Sequence, residues 1–216
     1  MVHNLSEKAS LVAHYVAELR NVLIQNDRMR FRRNIERIGE VIAYEISKEL
    51  EWKTVDVTTP LGTAPCFQLV DQPVLVTIMR AGLPLHQGIL NYFDHADNGF
   101  IGAFREHDDK GNFTINMGYV TSPEIDGRVL IVCDPMLATG ASLALTLQKL
   151  LTMGTPKQIH VVCTIAATEG IDYLLAQVPG ITIWAGTIDK ELNAHGYIVP
   201  GLGDAGDLCF GEKMQA

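Results

Sequence analysis

The sequence predicts an α/β fold: a mostly parallel sheet flanked by helices, with N-terminal helices and a peripheral β-hairpin before it and a glycine-rich segment after it. Three observations predict it. From Pro73 onward, short apolar runs alternate with segments of helical period, the pattern of a sheet covered on both faces. The run Val129-Leu130-Ile131-Val132-Cys133 is apolar throughout and rich in β-branched residues, as a strand buried on both sides must be. From Ser10 to Leu50 the spacing is helical instead.

Residues Ser10 to Leu50 read as two helices. Leu11, Val12, Tyr15, Val16, Leu19, Val22 and Leu23 recur at helical spacing, and Phe31, Ile35, Ile38, Val41, Ile42 and Ile46 do so again. Asn26-Asp27 marks the turn between them. Alternating stretches at Val55–Thr59 and Cys66–Val70, separated by Pro60-Leu61-Gly62-Thr63, predict the hairpin. Strands are then expected at Val74–Met79, Phe100–Phe104, Val129–Cys133, Gln158–Ile165 and Ile181–Ala185. Helices are expected near Leu85–Phe93, Ser142–Met153 and Gly170–Gln177. At 216 residues the chain is expected to be one domain, with residues 1–72 as helices and hairpin, 73–188 as core sheet and 189–216 as the closing segment.

Composition narrows the function. With 47% hydrophobic residues there is ample material for a core, while the net charge of −8 argues against a surface built for nucleic acid. The basic cluster Arg28-Met29-Arg30-Phe31-Arg32-Arg33 reads as a solvated helix face beside Glu36 and Glu40 rather than a polyanion site. Cysteines 66, 133, 163 and 209 show no metal-ligand spacing, and two of them sit in strand patterns as small hydrophobes. No signal segment and no membrane-length apolar run is found, so a cytoplasmic setting without a membrane partner is expected.

The chemistry should lie at strand ends. Asp134 follows the buried run, Pro135 is expected to stop the pairing, and the small-residue stretch Met136-Leu137-Ala138-Thr139-Gly140-Ala141 leads into a helix at Ser142. Such a unit aims backbone N–H groups and a helix N-terminus at one spot, which favours a phosphate, although an Asp there also serves simply as a cap. Arg80 ends another buried strand before Ala81-Gly82, and a guanidinium suits phosphate oxygens, though it also suits solvent. Phe104-Arg105 closes a third strand before the polar stretch Glu106 to Asn112, which reads as a loop. The segment Gly201 to Gly206 satisfies the dinucleotide fingerprint only formally, because ten residues cannot supply the rest of a βαβ unit. Its glycines instead let backbone approach a flat ligand. No serine elbow or catalytic triad order is present.

Three strings carry a resemblance. Asp134-Pro135-Met136-Leu137-Ala138-Thr139-Gly140 resembles the phosphoribosyl-pyrophosphate (PRPP) loop of the type I phosphoribosyltransferases, and in wording it is similar to that of the uracil-specific members. Ile78-Met79-Arg80-Ala81-Gly82 resembles their pyrophosphate loop, and His195 to Asp207 resembles their base-binding hood. The resemblance covers about Leu19 to Gly211. Ala141 departs from a second glycine, Pro84-Leu85-His86-Gln87 from a Gly-Met-x-Asp stretch, and Phe104 from a tyrosine.

The resemblance implies transfer of the 5-phosphoribosyl group from PRPP to uracil, giving UMP and pyrophosphate in pyrimidine salvage. It implies catalytic roles for Asp134, Asp204 and Arg105. PRPP would be held by Arg80, Ala81, Arg105, Asp134, Pro135, Met136, Leu137, Ala138, Thr139, Gly140, Ala141, Ser142 and Asp204. Uracil would be held by Tyr197, Ile198, Gly203, Asp204 and Ala205. A non-proline cis peptide is expected at Arg80–Ala81, Mg²⁺ held mainly by PRPP and water with no dedicated protein ligands, and a homodimer or larger homo-oligomer. The alternatives are a transferase for another base, or a PRPP-sensing regulator of pyrimidine-operon RNA, against which the charge counts.

Overall fold

A computed structural model describes residues 1–107 and 113–212, and the side chains of 103–107 and 113–116 fall outside that description. In chain order the elements are β1 (Val2–Asn4), α1 (Leu11–Arg20), α2 (Arg28–Ser47), β2 (Trp52–Thr59), β3 (Gly62–Leu69), β4 (Val74–Met79), α3 (Gly82–Leu90), β5 (Asp97–His107) and β6 (Phe113–Thr121). They continue with β7 (Val129–Cys133), β8 (Met136–Leu137), α4 (Ala141–Leu151), β9 (Gln158–Ala167), α5 (Thr168–Gln177), β10 (Thr182–Asp189), β11 (Glu191–Leu192), β12 (Ile198–Val199) and α6 (Ala205–Phe210).

The main sheet runs β1-β10-β9-β7-β4-β5-β6 with β8 paired to β9. All these pairings are parallel except β5 with β6. Strand alternation splits the core in two. Val74, Val76, Ile78, Leu130 and Val132 face α4 and α5, packing with Leu143, Leu147, Ile171 and Leu174. Leu75, Ile131 and Cys133 face the other way, onto Phe31, Ile35, Ile38, Ile42, Leu85 and Ile89 of α2 and α3. The chain steps outward from β4 to β5 and, in the opposite direction, from β7 through β9 to β10. The switch point between β4 and β7 is where open α/β sheets bind ligands.

One helix crossing is especially close. A Cβ on Gly88 would sit 2.0 Å from the Glu36 carbonyl oxygen, and one on Gly39 would sit 2.6 Å from that of Leu85, so α2 and α3 touch backbone to backbone. Asp27 caps α2 by accepting the Arg30 N–H, at the turn the sequence marked. Within the basic cluster, Arg30 pairs with Glu18, Arg33 with Glu36 and Glu40, and Arg32 donates to the Cys209 carbonyl.

Several boundaries move. Pro135 does not stop the pairing: its carbonyl accepts from the N–H groups of Thr164 and Ile165, and β8 resumes the ladder on β9. A proline removes a donor but not an acceptor, so the chain kinks there and rejoins. α3 starts at Gly82 because Pro84 lies in its first turn, where no N–H is needed. β5 runs past Arg105 to His107, so Phe104-Arg105 does not close the strand; β6 carries it onward, with a register shift at Gly102/Ala103. The alternation Phe113, Ile115, Met117, Tyr119 was the unread signal for β6. The hairpin is longer than its alternation suggests, pairing Trp52 with Leu69 through Thr59 with Gly62, since both faces are largely exposed and neither needs to be apolar.

Candidate active site

The loop after β7, residues 134–142, forms the first wall. Asp134 directly follows β7, and its Oδ1 accepts the Met136 N–H at 3.2 Å, which turns the chain back toward the sheet. Gly140 takes the left-handed conformation (φ 80°) as N-cap of α4, a conformation that favours glycine. Asp134, Met136, Leu137, Ala138, Thr139, Gly140 and Ser142 line a cavity of about 40 Å³, together with Leu143, which the sequence did not single out. Pro135 and Ala141 are absent from that lining. Pro135 turns to β9, and the Ala141 N–H donates to Thr139 Oγ1 at 3.4 Å.

Gly170 fixes this loop from behind. A Cβ there would lie 2.0 Å from the Ala138 carbonyl oxygen, and one on Gly140 would lie 2.7 Å from that of Gly170. The first turn of α5 is therefore pressed against the loop backbone. Gly170 was not a sequence candidate; its signal was a glycine at the start of a helical pattern.

The arginine loop forms the second wall, one strand away. Thr77 pairs with Cys133 across β4 and β7, so Arg80 and Asp134 leave the sheet at neighbouring ends. Gly82 keeps them close, since a Cβ there would meet Thr77 Oγ1 at 2.3 Å and the Cys133 carbonyl oxygen at 3.0 Å. The cis bond is Met79–Arg80, not Arg80–Ala81. Ala81 is already helical (φ −69°, ψ −18°) as N-cap of α3, so the turn out of β4 is completed before it.

The C-terminal segment folds over both loops. β11 and β12 form a small antiparallel pair, and Asn193 Oδ1 accepts the N–H groups of His195 and Tyr197 in the turn between them. A Cβ on Gly196 would come within 3.4 Å of Thr139 Cγ2, which sets the turn against loop 134–142. Ile198 and Ala205 are buried, Tyr197 and Gly203 exposed. Asp204 caps α6, its Oδ1 accepting the Asp207 N–H at 3.0 Å. Val199–Pro200 is cis, which the sequence reading did not foresee. Side chains from far away seat the segment. Arg20 makes a bidentate pair with Asp189 at 2.7 and 2.9 Å, Asp189 also accepts the Gly201 N–H, and Gln25 donates to the Leu202 carbonyl.

Arg80 Nη2 reaches Asp207 Oδ1 at 3.1 Å and its Nη1 donates to the Gly211 carbonyl at 3.2 Å. Arg105 has its backbone in β5, opposite Ile115, while its side chain lies outside the described residues. Residues 108–112, most of the polar stretch read as a loop, lie outside them too.

Burial disfavours the thiolate form of the cysteines here. Burial, with the Asp134 charge adding to it, pushes the Cys133 and Cys163 thiols far up, and burial pushes Cys209 up to about 12. Among the described residues no group of three or more His, Cys, Asp or Glu converges on a point. Among the described residues, no helix is long and apolar enough to cross a membrane.

Comparison with known proteins agrees across the chain. A family model described as uracil phosphoribosyltransferase matches residues 6–212. The uracil phosphoribosyltransferase of Porphyromonas gingivalis is 53% identical over 214 residues, covering 99% of both chains. That of Methanothermobacter thermautotrophicus is 41% identical over 187 residues, covering 86% of this chain and 85% of its own. Among solved structures, the AQ2163 protein from Aquifex aeolicus superimposes with a TM-score of 0.86 at 30% identity, covering 97% of this chain and 98% of its own.

Proposed function

The chain belongs to the uracil phosphoribosyltransferase family, and we propose from that premise how its residues divide the work of transferring the 5-phosphoribosyl group of PRPP to uracil. The products are UMP and pyrophosphate. In this division the N–H groups of loop 138–142 and the start of α4 bind the 5-phosphate. Asp134 accepts hydrogen bonds from the ribose hydroxyls, and Arg80, with Ala81 and Arg105, holds the pyrophosphate. Main-chain groups of Ile198, Gly203 and Ala205 read the N–H between two carbonyls that uracil presents, flanked by Tyr197, with Asp204 between base and ribose.

The reaction breaks the bond from ribose C1 to a pyrophosphate oxygen and forms one to a uracil nitrogen, whose proton leaves to the departing pyrophosphate or to solvent. Positive charge develops on the sugar as the leaving group departs. The carboxylates of Asp134 and Asp204 offset that charge, and the rest of the site fixes the approach line. Mg²⁺, held mainly by PRPP and water, would supply charge neutralisation for the departing phosphates, and Asp134 and Asp204 are the carboxylates of this chain that would hold its waters.

One observation carries the reading: three segments distant in sequence meet at the β4/β7 switch point, with Thr77 paired to Cys133 and Gly196 against Thr139. A homodimer or larger assembly is supported by the exposed hairpin, where Trp52, Val57, Leu61 and Phe67 meet solvent. Four free thiols support a reducing, cytoplasmic setting. The test is product formation from PRPP and Mg²⁺ with uracil, hypoxanthine, guanine, adenine and orotate in turn. UMP from uracil alone is expected. PRPP binding without turnover of any base would overturn it in favour of a sensor.

A further inference from the structure

We propose that Asp207 is a positioning residue for Arg80, locking the pyrophosphate loop to the base-binding segment so that the two act as one unit. The proposal rests on the assignment of Arg80 to pyrophosphate. The Arg80 side chain is 41% exposed, yet it is held at two points. Nη2 donates to Asp207 Oδ1 at 3.1 Å and Nη1 to the Gly211 carbonyl at 3.2 Å, partners 127 and 131 residues away near either end of α6.

A guanidinium has five N–H donors in a rigid fork. Two of them face α6, which leaves Nε and one hydrogen on each Nη for an anion. A long side chain at a loop loses rotamer freedom on binding, and prior orientation removes much of that cost. Asp207 is itself placed by its N–H bond to Asp204 Oδ1. Of the two residues between them, Gly206 leaves little room: a Cβ there would stand 3.0 Å from Asp204 Oδ1 and 3.5 Å from Arg80 Nη2. The two carboxylates of the Gly203-Asp204-Ala205-Gly206-Asp207 string thus differ in task. Asp204 caps the helix beside the base, and Asp207 aims the cation at the leaving group.

A carboxylate in the first turn of a helix also stabilises that helix without any help from Arg80. The experiment has to separate the two. Pyrophosphate binding in the presence of Mg²⁺ would be measured by calorimetry for the wild type, Asp207→Ala, Arg80→Ala and the double variant, with Asp207→Asn as the shape-preserving control. UMP formation would be followed in parallel. The expected result is that Asp207→Ala weakens pyrophosphate binding by roughly tenfold in the wild-type background and by less than about twofold in the Arg80→Ala background, the signature of a residue acting through another. Asp207→Asn, lacking the charge but not the shape, should fall between. An equal loss in both backgrounds would mean that Asp207 serves α6 alone and would overturn the proposal. If Arg80→Ala binds pyrophosphate like the wild type, the proposal falls together with the assignment of Arg80. A wild type that binds pyrophosphate but makes no UMP would strike the proposed reaction while leaving the coupling to be decided by the same titrations.

Discussion

The loop at 134–142 and the C-terminal segment at 190–211 face each other across the switch point, yet they are held by different means. The loop is fixed by backbone against backbone: Gly170 on the Ala138 carbonyl, Gly140 on the Gly170 carbonyl, and the Pro135 carbonyl on two N–H groups of β9. The segment is fixed by side chains that reach across the fold, from Arg20 to Asp189, Gln25 to Leu202, Arg32 to Cys209 and Arg80 to Asp207. Close packing has one arrangement and fails abruptly. Ion pairs and single hydrogen bonds fail one at a time. On the proposed assignment, the side that grips phosphate is preformed and the side that covers the base is adjustable.

The largest expected effect tests the adjustable side. Asp189 is only 8% exposed, and Arg20→Ala leaves its carboxylate without its bidentate partner. Breaking such a pair costs about 3–5 kcal/mol, and the low end applies because the Gly201 N–H remains. Thermal unfolding should fall accordingly, and the KM for uracil should rise more than that for PRPP. An equal rise in both would show that the segment does not move separately from the loop. The next effect is chemical. Asp134→Asn keeps the acceptor for the Met136 N–H and the half-buried strand end, so the fold should survive. Loss of the charge should lower kcat/KM for PRPP by roughly a hundredfold or more. Unchanged KM and kcat would refute the role given to Asp134.

This contrast also explains what could be read in advance. The loop is local: a buried strand, an Asp, small residues and a helix start lie within fourteen positions, and β7 begins and ends where its apolar run does. The seating of the C-terminal segment is not local. Nothing around Arg20 or Asp189 signals a partner 169 residues away, and β10 runs on to Asp189, past the end of its apolar run at Ala185. Asp207 stood in the motif without a task, because its task is defined by Arg80. Gly170 likewise looked like a helix start until the Ala138 carbonyl appeared beneath it. The cis bond fell one residue early for the same reason: only the helical state of Ala81 shows where the turn ends.

Gly170→Ala probes the backbone clamp directly. A Cβ at 2.0 Å from a carbonyl oxygen cannot be accommodated without moving the loop, and overpacking of this kind costs about 1–3 kcal/mol. The KM for PRPP should rise by roughly tenfold while that for uracil barely changes, the mirror image of Arg20→Ala. A rise in the uracil KM alone would reverse the assignment of the two sides.

The smallest effect separates the two sides by pH. Glu18 of α1 is held by hydrogen bonds from Arg30 first and Asn34 second, which lower its carboxyl from 4.5 to about 2. The unfolded chain binds a proton there sooner than the folded one, so the contact contributes stability above about pH 4.5 and loses it as the pH falls toward 2. The Arg30 side chain is about half exposed, so solvent screening keeps the gain small. The Tm difference between the wild type and Glu18→Gln should therefore shrink across that window, and a constant difference would assign Glu18 a packing role instead. Amide exchange should speed up first along α1, which carries Arg20 and so seats the C-terminal segment, while the backbone contacts that hold residues 137–140 carry no proton to lose. Equal acceleration in the loop would mean that the two sides share one stability after all.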